Sequence, residues 1–296
     1  MLVEVIAVDS ASTGGMPGRA EGWARRNPGL VLELIREPVR RGKAFALNTA
    51  LKYAGGEVVV VTDADATWPS GSTLSEALSW FSDSSVGAVT CLKLPASSGA
   101  GGVEGAYRSF YNVVRLAESK AHSTPVFHGE LAAFRRALLE ELGGFPTDVG
   151  ADDSRTATRV ALIGYRAIAV DSAWCVERVP PRGYHAWRVR RAQHLVQHFA
   201  KTLRLLREAP KGFRPVLLAE AWLHLANPWL LPVSALLLLY LAAAGSAPVL
   251  ALLVLGASLL ALKPFRTWIA TQTYLVVAAL RNLWTKELVW RKQGKT

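Results

Sequence analysis

The chain has 296 residues, 51% of them hydrophobic and 19% charged, and its 34 Lys and Arg against 23 Asp and Glu give a net charge of +11. That length buries a core in one large domain, or in one domain plus an accessory part, and the composition excludes a disordered chain. Only two cysteines occur, Cys91 and Cys175, outside any Cys-x-x-Cys spacing, which argues against a disulfide scaffold or a zinc module.

No charged-then-apolar leader opens the chain, so no secretory signal is expected. Val3 to Val8 is the first predicted strand and ends at Asp9; Lys43 to Tyr53 follows as a helix. Glu57 to Thr62 is a second β-branched run and ends at Asp63-Ala64-Asp65. Further strands are predicted over Val86–Thr90 and Ala167–Val170, with helices over 103–120, 134–143 and 153–163. The Gly-rich stretch from Ser98 to Gly105 lacks the Lys-Ser/Thr ending of a phosphate-binding P-loop and is expected to be a mobile loop. Strands alternating with helices imply an α/β sheet that binds ligands beyond the carboxyl ends of its strands. No internal repeat is evident.

The positive charge is concentrated. Residues 1–177 carry 17 basic and 20 acidic side chains, residues 178–214 carry ten and one, and residues 215–296 carry seven and two. From Arg188 to Arg207, Leu195, Phe199, Leu203 and Leu206 recur at helical spacing among basic residues, the pattern of an amphipathic helix on an anionic lipid surface. No Asp, Glu, Lys or Arg occurs over the 42 positions between Glu220 and Lys263. Gly245, Ser246 and Pro248 divide that stretch into two predicted spans, about 221–244 and 247–262. The region 267–290, with Trp268, Tyr274, Trp284 and Trp290, reads either as an interfacial helix or as a third span. The basic Lys263–Arg266 corner favours a cytoplasmic body on an integral membrane protein. Three regions are therefore expected: an α/β domain over 1–177, a basic interfacial segment over 178–214 and a membrane region over 215–296. A nucleic-acid partner would require a basic face on the α/β body, which is net acidic, and none is expected.

Two carboxylates at i and i+2 beyond a buried strand, Asp63 and Asp65, either form a solvated turn or hold a divalent cation together with phosphate oxygens. The pair Asp152-Asp153, after Gly143-Gly144-Phe145-Pro146, either caps a helix or supplies a general base.

These residues fall into a series. Arg41-Gly42-Lys43-Ala44-x-Ala46-Leu47-Asn48, Ala54-Gly55-Gly56-Glu57 and Asp63-Ala64-Asp65 resemble the inverting family 2 glycosyltransferases, and within them the membrane-integrated cellulose, hyaluronan and poly-N-acetylglucosamine synthases. The resemblance continues through Phe127-His128-Gly129, Phe134-Arg135-Arg136, Gly143-Gly144-Phe145, Asp152-Asp153, Gly164-Tyr165-Arg166 and Glu177, and covers about residues 3–200. It implies a Rossmann-like GT-A fold and a nucleotide-diphosphate sugar donor. Asp9 would contact the nucleoside; Lys43 and Asp63 would contact the diphosphate portion; Asp65 would ligate Mg2+ or Mn2+. Asp153 would be the catalytic base, with Asp152 beside it and Phe127, His128 and Gly129 lining the acceptor side.

The family's processive synthases carry Gln-x-x-Arg-Trp after the base. Here Trp187-Arg188-Val189-Arg190-Arg191 keeps only Arg190, which would clamp the diphosphate. Trp187 either stacks on an acceptor sugar or anchors at the interface. The family also begins with a strand and helix before the strand that here ends at Asp9, so a longer natural N-terminus is expected. The expected activity is metal-dependent, inverting transfer at the cytoplasmic face to a polysaccharide, glycolipid or polyprenyl-phosphate acceptor, by a monomer or an oligomer. The competing expectation is a catalytically weak membrane scaffold that keeps the fold.

Overall fold

A computed structural model of the chain describes residues 4–95, 101–177, 179–180 and 182–285. The first elements are β1 (Glu4–Ser10), α1 (Met16–Arg26), β2 (Val31–Glu37) and α2 (Lys43–Leu51). β1 and β2 form a parallel two-stranded sheet with Asp9 opposite Arg36. A second sheet has the order β3-β5-β4-β6, formed by β3 (Val58–Val61), β5 (Ala132–Arg135), β4 (Val86–Pro95) and β6 (Arg166–Glu177). Within it, β5 runs antiparallel to both neighbours, and β4 and β6 are parallel.

Side-chain alternation along β4 serves two cores. Ala88 faces Phe134, Leu138, Leu139, Val160 and Phe213, whereas Val89 and Cys91 face Leu131, Ala133, Ile168 and Cys175. The helices that cover this sheet include α3 (Thr73–Ser79), α4 (Gly101–Ala121), α5 (Arg136–Glu141) and α6 (Asp152–Leu162).

Three expectations are corrected here. The stretch expected as one helix over 134–143 begins as β5, because Phe134 is fully buried between the rings of Phe127 and Phe145, each 5.8 Å away. Helix appears only from Arg136, once the chain leaves the sheet. The basic segment forms α7 (Tyr184–Thr202), yet Trp187, Arg188, Arg190, His194, His198 and Phe199 are all buried in it. α7 thus packs into the body with polar as well as apolar side chains rather than lying on a surface by an apolar face alone. The Ser98–Gly105 loop lies partly outside the described residues, and α4 is already helical at Gly101.

The uncharged stretch also differs from a simple hairpin. α8 (Arg214–Ala221) passes through a π-helical turn, Trp222–Ala226, into α9 (Asn227–Ala243). Together they make Arg214–Ala243, the one helix among the described residues that is long and apolar enough to cross a membrane by itself. α10 (Ala247–Leu259) has 13 residues, about 20 Å of helix at 1.5 Å per residue, short of a bilayer core of about 30 Å. It meets α11 (Lys263–Arg281) at a bend of 101°, the geometry of a broken span or a re-entrant loop. Leu275 and Ala278 of α11 pack on Ala192 and Val196 of α7, which ties this last helix to the body. Residues 286–290, including Trp290 of the expected interfacial helix, lie outside the described residues.

Candidate active site

The strand and helix ends converge on one cavity of about 140 Å3. Lys43, Asp63, Asp65, Phe127, His128, Gly129, Asp152, Asp153 and Trp187, all expected as site residues, line it. Asp63 and Asp65 follow β3, whose four valines hold the strand between core layers, so the chain emerges at the cavity wall as it turns. Lys43 opens α2 directly after Gly42.

Lys43 links the two acidic groups. Its Nζ lies 2.8 Å from Asp63 Oδ1 and 3.9 Å from Asp152 Oδ2. Burial alone would lower the Lys43 ammonium, but Asp152, Asp63 and Asp153 outweigh it and hold the pKa above the ordinary lysine value. Burial works against Asp63 too, yet the Lys43 charge and hydrogen bond bring its carboxyl below the usual value. The pair fits only because residue 129 is glycine. A Cβ there would sit 2.8 Å from both Lys43 Nζ and Asp63 Oδ2. The Gly129 carbonyl also accepts the Asp63 amide at 2.8 Å.

Asp152 and Asp153 occupy the first turn of α6, where exposed amides favour negative charge. Ala151 holds the N-cap position without a side-chain bond, so neither acid serves as the cap. Asp153 Oδ1 accepts the Ser154 amide at 2.7 Å. Burial, then the charge of Asp152, pushes the Asp153 carboxyl up to about 6; burial also raises Asp152. A carboxylate poised there takes a proton near neutral pH and remains ionised often enough to act.

The segment between these acids is fixed along its length. The Phe127 amide donates to Ser154 Oγ at 3.0 Å, and the His128 amide to Thr90 Oγ1 at 3.1 Å. The Glu130 carbonyl accepts both the Thr62 hydroxyl at 3.0 Å and the Trp68 indole at 2.9 Å. On the far side, the Asn48 amide pairs with both backbone groups of Phe145, at 2.8 and 2.7 Å, fastening α2 to the Gly-Gly-Phe turn.

Two expected residues stand elsewhere. Asp9, the penultimate residue of β1 on the two-stranded sheet, accepts the Ser12 amide at 3.2 Å and is absent from the cavity lining. Arg190 is buried in α7 but likewise does not line the cavity, whereas its neighbours Arg188 and Arg191 do. The Arg191 guanidinium lies 4.8 Å above the Trp187 ring, and its charge contributes to lowering Asp63. The Arg188 guanidinium lies 4.1 Å above Tyr107 and 5.6 Å from Tyr274 of α11.

Sequence reading missed Lys93, Glu130, Ser154 and His194, all of which line the cavity. Ser154 carried a local signal, since it directly follows the acidic pair. Lys93 and Glu130 are brought together from positions 37 apart, which no short motif reports.

The family description "Glycosyl transferase family 2" matches residues 1–143. A solved structure, that of the mannosyltransferase PcManGT from Pyrobaculum calidifontis in complex with GDP-Man and Mn2+, is 60% identical, with a TM-score of 0.88 over 96% of this chain and 79% of that one. The chain belongs to glycosyltransferase family 2.

Among curated relatives, the cellulose synthase catalytic subunit [UDP-forming] of Xanthomonas axonopodis pv. citri (strain 306) is 29% identical over 166 residues, 52% of this chain and 22% of that protein. The O-antigen chain rhamnosyltransferase WbaN of Salmonella anatum is 28% identical over 182 residues, 59% of this chain and 54% of that protein. The chain thus spans between about a fifth and about half the length of these curated relatives. As a family 2 enzyme with a GT-A fold, it is a nucleotide-sugar-dependent glycosyltransferase.

Proposed function

We propose that the protein is a membrane-bound, inverting glycosyltransferase that takes mannose from GDP-mannose and places it on a hydroxyl of a glycan or lipid-linked acceptor at the cytoplasmic face. The observation that carries this reading is the Lys43 bridge between Asp63, which we take as the donor-side acid, and Asp152, which we take as the acceptor-side acid. The 60% identity to a mannosyltransferase solved with GDP-Man supports the choice of donor.

In this reading Asp153 accepts the proton of the acceptor hydroxyl. The freed oxygen attacks the anomeric carbon on the face opposite the diphosphate, and the bond from that carbon to the diphosphate oxygen breaks. A single displacement inverts the configuration. Lys43 holds Asp63 in register, and Arg191, on the cavity wall, takes the diphosphate-clamping role that the sequence assigned to Arg190.

Among the described residues no group of three or more His, Cys, Asp or Glu forms a metal cage. The donor set nevertheless suits Mg2+ or Mn2+, because such ions bind one or two carboxylates and complete their shell with substrate phosphates and water. Asp65, with Asp63 beside it, would hold the ion. When bound, it neutralises charge on the departing diphosphate.

Membrane attachment rests on the helix Arg214–Ala243, in which only 6% of the most apolar window is buried. We assign that helix as a span and the bent α10–α11 pair as its re-entrant or broken companion, with Lys263 and Arg266 at the cytoplasmic side.

The test is GDP release from GDP-mannose by purified full-length protein with Mn2+ and lipid extract as acceptor. Release that depends on Asp153 and on metal supports the reading; GDP release unaffected by Asp153→Asn overturns it.

A further inference from the structure

Lys93 and Glu130 form an ion pair inside the cavity that the displacement described above does not use. Lys93 is 1% exposed and Glu130 8%. Lys93 Nζ lies 2.9 Å from Oε1 and 2.8 Å from Oε2 of Glu130. The pair has a topological origin. β4 pairs with β5 only over residues 88–90, and beyond Thr90 the strand continues beside β6 alone. Asn112 of α4 then replaces β5 as partner of the Lys93 backbone, donating to its carbonyl at 2.9 Å and accepting its amide at 3.2 Å. The opening left by β5 is where the Glu130 side chain enters.

Buried ion pairs are poor sources of stability, because desolvating two charges offsets their attraction, and similar apolar residues often do as well. Glu130 moreover has acceptor capacity to spare. An ionised carboxylate offers about four lone-pair sites, and beyond the lysine no donor among the described residues reaches Oε2. The backbone around it is rigid, since the Glu130 carbonyl is held by two side chains and the next residue, Leu131, by Thr90. A charged acceptor held rigidly on the wall of a sugar-transfer cavity is suited to neutral hydroxyl donors.

We infer that Glu130, oriented by Lys93, is a specificity-determining residue that accepts hydrogen bonds from hydroxyl groups of the sugar being transferred. The donor sugar is favoured over the acceptor by position. Glu130 directly follows Gly129, whose carbonyl holds the Asp63 amide, and the Lys93 charge acts on Asp63 itself. The base Asp153 reaches the same segment only at its other end, through Ser154 and Phe127. This inference rests on the cavity being the nucleotide-sugar site and deepens that reading by naming what recognises the sugar.

The experiment compares GDP-mannose with its 2-, 3-, 4- and 6-deoxy analogues in wild type, in Glu130→Gln and in the double variant Lys93→Met with Glu130→Gln. A hydroxyl bound by a charged partner is worth about 10- to 100-fold in kcat/KM when deleted from the substrate. Wild type is therefore expected to discriminate at least tenfold against one or more deoxy donors, and both variants to reduce that ratio by more than threefold. The ratio is internal to each variant, so partial misfolding does not alter it, and the double variant leaves no buried lysine unpaired. Wild type that discriminates against none of the deoxy donors, or variants whose ratios stay within threefold of wild type, overturns the inference. Absence of GDP release from GDP-mannose by wild type fails the donor assignment instead, and the same ratios are then read with the sugar nucleotide that wild type does cleave.

Discussion

The catalytic body and the C-terminal helices invert each other. In the body, charged side chains are buried: Lys93, Arg115, Glu118, Asp152 and Arg190 are each less than a tenth exposed. In α9 and α10, large apolar side chains face outward, with Leu236 67%, Tyr240 72% and Val254 59% exposed. A soluble fold normally avoids both arrangements. In the proposed reading the buried charge serves the site, and the exposed hydrocarbon of α9 and α10 faces a bilayer. The two regions meet at the π-helical turn. Arg115 of α4 bonds Glu118 at 2.7 Å and Glu220 at 3.0 Å, and the His224 ring stacks on Phe199 of α7 at 4.6 Å. Arg115 and His224 also line the cavity, so the root of the long apolar helix is part of the wall of the site.

The largest expected effect tests whether charge in the body serves chemistry rather than folding. Asp153→Asn should lower kcat by about 10^3-fold, the loss expected of a general base. Its Tm should hold or rise, because the variant removes a carboxylate that burial disfavours. A parallel drop in Tm and activity, followed by thermal melts in detergent, would make Asp153 structural and erase the distinction.

The junction comes next. Arg115→Met removes the cation between two buried carboxylates and should destabilise the protein by about 3–5 kcal/mol, read as a lowered Tm. The contrast between regions sharpens if Leu236→Lys, on the outward face of α9, behaves differently according to surroundings. A lysine at the centre of a membrane span costs about 2.5–3.5 kcal/mol, whereas on a solvated surface the change falls within about 0.5 kcal/mol. Membrane fractionation and stability in lipid nanodiscs should show the larger penalty. An unchanged, fully soluble Leu236→Lys protein would remove the bilayer from the account.

What the sequence made legible follows from locality. Asp63 and Asp65 stood out because a strand of four valines ends beside them, and Asp152-Asp153 because they follow a Gly-Gly-Phe-Pro turn and begin a helix. Both are features within ten residues of chain. The Lys93–Glu130 pair, the Arg115–Glu220 bond and the packing of α11 on α7 join residues between 37 and 105 positions apart, and periodicity carries no trace of them. The helix expected over 134–143 overlaps the last two residues of β5, Phe134 and Arg135, for the same reason. Ala132-Ala133-Phe134-Arg135 has little intrinsic strand preference, and its place between β3 and β4 decides its conformation. Arg190 and Arg191 show the finest case, since adjacent residues on α7 point about 100° apart and only packing chooses which faces the cavity.

The smallest expected effect is the pH dependence, and its sign follows from the acid pair. As the proposed base, Asp153 must be ionised to accept the acceptor proton, and burial together with the Asp152 charge places its titration at about 6. Activity should therefore be nearly full at pH 7 and fall as pH drops through 6, with about a tenth of the base ionised at pH 5. That is about a tenfold loss in kcat between pH 7 and 5, or about 1.4 kcal/mol. The midpoint belongs to the Asp152–Asp153 pair. Asp152→Asn removes the neighbouring negative charge, so the midpoint should move to lower pH and activity at pH 5 should recover relative to the variant's own value at pH 7. Stability runs the other way. The folded protein holds the Asp153 proton more tightly than the unfolded chain does, so this group favours folding at low pH and loses that contribution as pH rises through about 6. A protein that grows more stable between pH 7 and 5 while its turnover falls would separate the chemical use of this buried acid from its cost to the fold. An acid limb unmoved by Asp152→Asn would show that the pair does not set it.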